Sequence, residues 1–284
     1  MGRFGRLGIA LVMVLVGLVS YFGSTQENPI TGESQRVKIS PEQEVALGLE
    51  AAPVMAREMG GLHPDRQMQA YVKEVGNRIV SATAAANSPY KFQFHVLADP
   101  RTVNAFALPG GQIFITAALL SQLQNEAQLA GVLGHEIGHV IGRHAAEHMA
   151  KGQLTQILVG AAGVAGFDPG SPGSGQRAAV IASMVGSVVN LRYGRNDELE
   201  SDTLGIRFMA EAGYDPRAMI GVMDILEKAS GGGRAGPEWL QSHPDPGNRR
   251  ENLKQQIAKT FPQGPPPNLS TRGSGSFDEI KRRL

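Results

Sequence analysis

The chain contains no cysteine. Disulfides and thiolate ligands are excluded, so a metal site here must be built from histidine and carboxylate. A lipid attached through an N-terminal cysteine is excluded as well. Excess charge is also missing: 27 Lys and Arg against 26 Asp and Glu leave a net charge of +1. Nothing in that balance calls for nucleic acid or an acidic partner. No internal repeat is present. Long apolar runs are scarce. The runs 157–167 and 178–191 are each too short to cross a bilayer. They are expected to form a buried helical pair, a mobile lid over the site, or a surface touching membrane. What remains is ordinary: 42% apolar and 19% charged residues over 284 positions are enough to bury a real core.

No acidic residue precedes Glu27, and Arg3 and Arg6 stand before a mostly apolar run from Leu7 to Phe22. A positive segment followed by an apolar one predicts an export signal. No small-x-small cleavage site closes the run around Ser20, Gly23 and Ser24. The segment 1–24 is therefore expected to stay as a membrane anchor, with a cleaved signal as the alternative. It is slightly short for a span, which tilt or local thinning can accommodate. A polar linker is expected over 25–40, a folded domain over 41–260, and a flexible Pro/Gly/Ser-rich tail over 261–284. Within the domain, Ser40-Pro41-Glu42 predicts a helix start, and the apolar spacing from Met68 to Val80 predicts a second helix. Strands are predicted at 92–97 and on both sides of Pro109-Gly110-Gly111. A long helix is predicted from Asn125-Glu126 to about Lys151.

That long helix carries Gly134-His135-Glu136-Ile137-Gly138-His139. Residues i and i+4 share a helix face, so His135 and His139 can bind one metal ion. Glu136 points aside, where a carboxylate can reach a water at the metal. This is the H-E-x-x-H zinc pattern. A catalytic zinc needs a third protein ligand and one open position. The His-x-x-Gly-x-x-His extension fails, because Ala145 stands where its histidine would be. His144 is one residue early and turns to nearly the opposite face of a continuous helix. His144 and His148 are expected to make ordinary polar contacts. The reversed motif, His-x-x-Glu-His, is absent. A glutamate from a later helix remains. Glu198 and Asp202 are i and i+4, so Glu198 can ligate while Asp202 holds the free N–H of a histidine ligand. Glu200 lies about 200° round the helix from Glu198 and is expected to face solvent or to support the site indirectly.

Taken in order, these pieces resemble the CAAX-prenyl-protease-type gluzincins, in particular their exported bacterial members. The matching stretches are Asn104 to Gly111, Glu126 to His139, Arg143-His144, Glu198 to Asp202, and Ser242-His243-Pro244 with Arg249. The resemblance covers roughly residues 41–260. It implies an α+β, zincin-like fold, mostly helical, with a small β-sheet beside the active-site helix. It also implies one zinc ion per chain and cleavage of peptide bonds. The expected ligands are His135, His139 and Glu198, with Glu136 as the base. Asp202 and Arg249 are expected to orient the site. His243 is the expected oxyanion donor, with Tyr193 a weaker one. In exported relatives a similar histidine can plug the metal, which makes His243 a possible gate as well. Asn104, Ala105 and Phe106 are expected on a strand edge that an extended peptide can join. Backbone reading of that kind suits unfolded or misassembled envelope proteins. The expected location is the periplasm, anchored to the inner membrane through the N-terminal segment. A chaperone-like protein with a plugged metal site and a secreted degradative peptidase are the rival readings.

Overall fold

The computed structural model describes residues 3–166, 193–230, 237–243, 248–271 and 276–284. The chain divides into two compact units, one made of Met1–Ser40 with Ala145–Leu191 and the other of Pro41–His144 with Arg192–Leu284.

The first unit opens with helix α1, Arg3–Phe22. No helix among the described residues is long and apolar enough to cross a membrane. The expected anchor is therefore not supported by the fold. Its apolar part, Leu7 to Phe22, rises only about 24 Å at 1.5 Å per residue, short of a hydrocarbon core of about 30 Å. A short antiparallel hairpin follows where a linker was expected, β1 (Thr25–Glu27) and β2 (Ser34–Arg36), with Thr25 opposite Arg36. The Arg36 backbone N–H donates to Glu147 Oε1 at 2.7 Å. Gly17 of α1 lies close against Ile157: a Cβ there would come within 2.9 Å of that side chain. Residues 157–166 of the first apolar run continue a helix, whereas 178–191 lies outside the described residues.

The second unit holds the candidate site. Helix α2 (Pro41–Glu58) starts on its proline, with Glu42 and Glu44 in the first turn. Asp65 caps α3 (Arg66–Ala82) by accepting from the backbone of Gln67 and Met68. Gly76 inside α3 is required by packing, since a Cβ would sit 2.5 Å from the Phe94 ring. Three strands follow: β3 (Gln93–Leu97), β4 (Ala105–Leu108) and β5 (Gln112–Thr116). Their order is β3-β5-β4, parallel between β3 and β5 and antiparallel between β5 and β4. Among the described residues β4 is thus an edge strand. Thr116 caps α4 (Ala117–Gln122), and Asn125 caps α5 (Glu126–Ile141).

Every residue of α5 is buried. A helix enclosed on all sides must pair each polar side chain internally. Glu126 does so with the hydroxyls of Tyr71 and Tyr214, at 2.5 and 2.7 Å, and with Arg78 at 3.2 Å. The expected continuation to Lys151 does not occur. α5 ends at Ile141, Arg143 takes φ 56°, and α6 (His144–Gly166) starts afresh.

The next helix, α7 (Arg195–Glu211), packs along α5 through small residues. A Cβ on Gly138 would meet the Cα and carbonyl oxygen of Ser201 at 3.0 Å, and one on Gly205 would meet the His135 nitrogen at 3.2 Å. This close approach brings Glu198 to the histidines. Gly138→Ala is expected to destabilise the fold by about 1–3 kcal/mol through overpacking. It should also weaken metal binding, and urea titrations with and without metal check both effects. Helices α8 (Ala218–Ser230), α9 (Glu238–Ser242) and α10 (Arg249–Thr260) complete the surroundings. Within the stretch expected to be a flexible tail, α11 (Phe277–Lys281) buries Phe277 and Ile280. Phe277 sits beside Tyr71, with ring centroids 6.3 Å apart. Lys281 Nζ donates to the Leu123 carbonyl at 2.8 Å and Arg283 pairs with Asp65 at 3.1 Å, so polar ties add to this docking.

Candidate metal centre

The buried faces of α5, α7 and α9 converge on one point. His135, His139, Glu198 and His243 each offer a ligand atom there, all within 4.8 Å of one another and all buried. The Nε2 atoms of His135 and His139 are 3.0 Å apart. Glu198 Oε1 lies 3.4 Å from His139 Nε2, and Glu198 Oε2 lies 3.5 Å from His135 Nε2. His243 Nδ1 stands 3.0 Å from Glu198 Oε1 and 3.3 Å from His135 Nε2.

Which ring nitrogens carry protons follows from their outer partners. His135 Nδ1 is 3.0 Å from Asp202 Oδ1, an acceptor, so Nδ1 is assigned the proton. Arg249 Nη2, which donates to Asp202 Oδ1 at 2.7 Å, also lies 3.1 Å from Nδ1. His135 Nε2 then carries the lone pair, with Arg249 Nη2 3.2 Å away. On the far side of His139, Nδ1 is engaged by His144 at 2.8 Å, which leaves Nε2 toward the centre.

Lone pairs facing lone pairs and a carboxylate repel unless a cation lies among them. Imidazole and carboxylate together fit zinc, and the absence of cysteine leaves no competing thiolate. The surrounding field favours positive charge. Burial opposes ionisation of His243, yet the carboxylates of Glu198 and Glu136 raise it above its ordinary value. Burial would also raise Glu198, but His243 and Arg249 hold it well below the usual carboxylate range. Burial, acting first, pushes His139 well below its ordinary value and keeps the ring neutral, the form that ligates.

Glu136 lies beside this group and outside it. The Trp239 indole N–H donates to Glu136 Oε1 at 3.3 Å, and Oε2 is buried with no hydrogen-bond partner. His243 Nε2 is 3.6 Å from Glu136 Oε1. Arg249 is buried and spans the two carboxylates of α7, with Nε 3.0 Å from Asp202 Oδ2 and Nη1 2.9 Å from Glu198 Oε2. Its guanidinium also lies over the Trp239 ring at 4.6 Å.

The structure therefore brings together Glu136, His135, His139, Glu198, Asp202, His243 and Arg249. Asn104, Ala105 and Phe106 lie at the start of the edge strand, where the neighbouring Val103 carbonyl accepts from the Trp239 backbone N–H at 3.3 Å. Asn104 is buried with Oδ1 unpaired, Ala105 is buried, and Phe106 stacks on Phe114 at 5.0 Å. Tyr193, the weaker oxyanion candidate, lays its buried ring flat on His139 at 3.9 Å. Two contributors, Trp239 and His144, escaped the sequence reading. Trp239 is the sole tryptophan and lies four residues before His243, a spacing that would have tied it to the same helix face. His144 was sent to another face by the assumption of an unbroken helix, and Glu200, expected to face solvent or to support the site indirectly, reaches it through His144. Gly142, a residue type that often follows a helix end, was the available signal.

A mostly helical, zincin-like fold around two histidines and a glutamate is the ligand arrangement of the gluzincin kind. The sequence profile of Peptidase family M48 matches residues 66–257, more than half of the chain. The chain belongs to this family. It is 30% identical over 254 residues to the beta-barrel assembly-enhancing protease of Escherichia coli strain K12, covering 86% of this chain and 50% of that protein. The protein of the same name in Yersinia pestis is 30% identical over 244 residues, 82% of this chain and 48% of the relative. The mitochondrial metalloendopeptidase OMA1 of Schizosaccharomyces pombe is 28% identical over 251 residues, 86% of this chain and 70% of the relative. The chain thus spans about half the length of its bacterial relatives.

Proposed function

We propose that the protein is an exported endopeptidase that cleaves unfolded or misassembled envelope proteins. The observation that carries the peptidase reading is Glu136, a buried carboxylate beside, but not within, a cluster of converging metal ligands. A metal that only holds a fold has no need of such a base. Zinc, when bound, polarises the scissile carbonyl and acidifies a water. The work of the chain's own residues is to hold the metal through His135, His139 and Glu198 and to move the proton. Glu136 accepts it from the attacking water and returns it to the leaving amine. Asp202, backed by Arg249, keeps His135 in the tautomer that presents Nε2.

Export is supported by the basic-then-apolar N-terminus and by the bacterial relatives, whose name places them in β-barrel assembly. The same N-terminal segment is proposed to stay attached to the membrane. The mass of the mature N-terminus checks this, and a start near Ser24 would contradict it. Substrate is proposed to join the edge of β4 that no described strand pairs, near Asn104, Ala105 and Phe106, where main-chain pairing reads extended backbone rather than side chains.

His243 is proposed to restrain the enzyme. As a fourth buried donor it closes the position that a catalytic zinc keeps open. Casein hydrolysis by the wild type and by His243→Ala tests this by sign. A gate predicts a faster variant, whereas an oxyanion donor predicts a slower one. An unchanged rate would remove both roles. Comparing unfolded casein with a folded protein of similar size tests the substrate class, and equal cleavage of the two would contradict it.

A further inference from the structure

Arg143 holds a left-handed backbone conformation at φ 56°, which is costly for a residue with a side chain. It is held there by a buried partner on α2. Arg143 Nε donates to Glu44 Oε1 at 2.8 Å, and the Tyr90 hydroxyl reaches the same oxygen at 3.2 Å. The turn folds His144 back onto the ligand that a continuous helix would have carried it away from. His144 is fully buried. Its Nδ1 is 2.8 Å from His139 Nδ1, and its Nε2 is 3.1 Å from Glu200 Oε2.

The protons along this line can be placed. A carboxylate accepts, so His144 donates from Nε2 to Glu200. The neutral ring then has only Nδ1 as acceptor, and the proton between the two histidines belongs to His139 Nδ1. His139 Nε2 is left as a lone pair aimed at His135 Nε2, 3.0 Å away. We infer that His144 and Glu200 are positioning residues: a two-step hydrogen-bond line that fixes the ring orientation and tautomer in which His139 presents Nε2 to the metal. The two histidine ligands are thus served differently. His135 is held directly by a carboxylate, and His139 is held by one acting through a second imidazole. Arg143 and Glu44 set the turn that makes this possible. The inference rests on the zinc reading of the centre.

The test is zinc affinity of the full chain, measured by competition with a chromogenic chelator, beside thermal unfolding of the metal-free protein. His144→Ala and Glu200→Ala are expected to weaken zinc binding roughly 10- to 100-fold, the usual cost of losing such an outer partner. Glu200→Gln should stay near the wild type, because its amide oxygen still accepts. The Glu200 side chain is 24% exposed, so its replacement empties no core. If His144→Ala fails to fold, the Glu200 pair decides the question. A packing role alone would lower the metal-free Tm and leave zinc affinity unchanged, and that result in Glu200→Ala would overturn the inference. A wild type that takes up no zinc would instead overturn the reading of the centre itself.

Discussion

Glu136→Gln is expected to lower kcat on casein by about 10²–10⁴-fold, the usual contribution of a positioned general base. Zinc content should not change. Glu136 offers no atom to the ligand group formed by His135, His139, Glu198 and His243. Glutamine has nearly the same shape, and its amide oxygen can still accept from the Trp239 indole, now 3.3 Å from the carboxylate. What it lacks is the capacity to take a proton from water. The expected signature is therefore a fall in kcat with KM and metal stoichiometry held. A variant that keeps wild-type turnover would remove Glu136 from the chemistry. One that loses its zinc would show that the carboxylate was holding the site together instead.

Arg249→Met should have the largest effect on stability, and that effect should depend on metal. The guanidinium is buried and neutralises two buried carboxylates, Asp202 at 2.7 Å and Glu198 at 2.9 Å. Burial works against its charge, but Asp202 and Glu198 raise it above its ordinary value. Removing one partner of such a group leaves uncompensated charge, at a cost of about 3–5 kcal/mol. With zinc bound, the ion itself compensates Glu198, so the loss should be smaller. The metal-free variant should thus unfold at much lower denaturant than the metal-free wild type, with the gap narrowing on adding zinc. Equal losses with and without zinc would mean that Arg249 only packs against Trp239. No loss at all would mean that the carboxylates are satisfied without it.

The parts of the centre visible in the sequence are those fixed by local geometry. His135 and His139 share a face because they are i and i+4 on one helix, and Glu198 and Asp202 share a face for the same reason. The strands around Pro109-Gly110-Gly111 were legible because the turn demands glycine: Gly110 and Gly111 have φ of 77° and 106°. What could not be read depends on distant partners. The helix break at Arg143 is held by Glu44, ninety-nine residues away in sequence. His144, expected to make ordinary polar contacts, meets Glu200 because of that break. The pairing of α5 with α7 rests on Gly138, Ser201 and Gly205, whose small size means little until the two helices are placed side by side. The docking of α11 is a long-range effect as well, since Phe277 finds Tyr71 on α3.

The most direct test of the zinc peptidase account follows metal and activity on one sample of the full chain. Zinc content and casein hydrolysis are measured as purified, after chelation, and after adding zinc back. The account predicts one zinc per chain and a hydrolysis rate that is lost with the metal and restored with it. Hydrolysis that survives complete removal of the metal would contradict it.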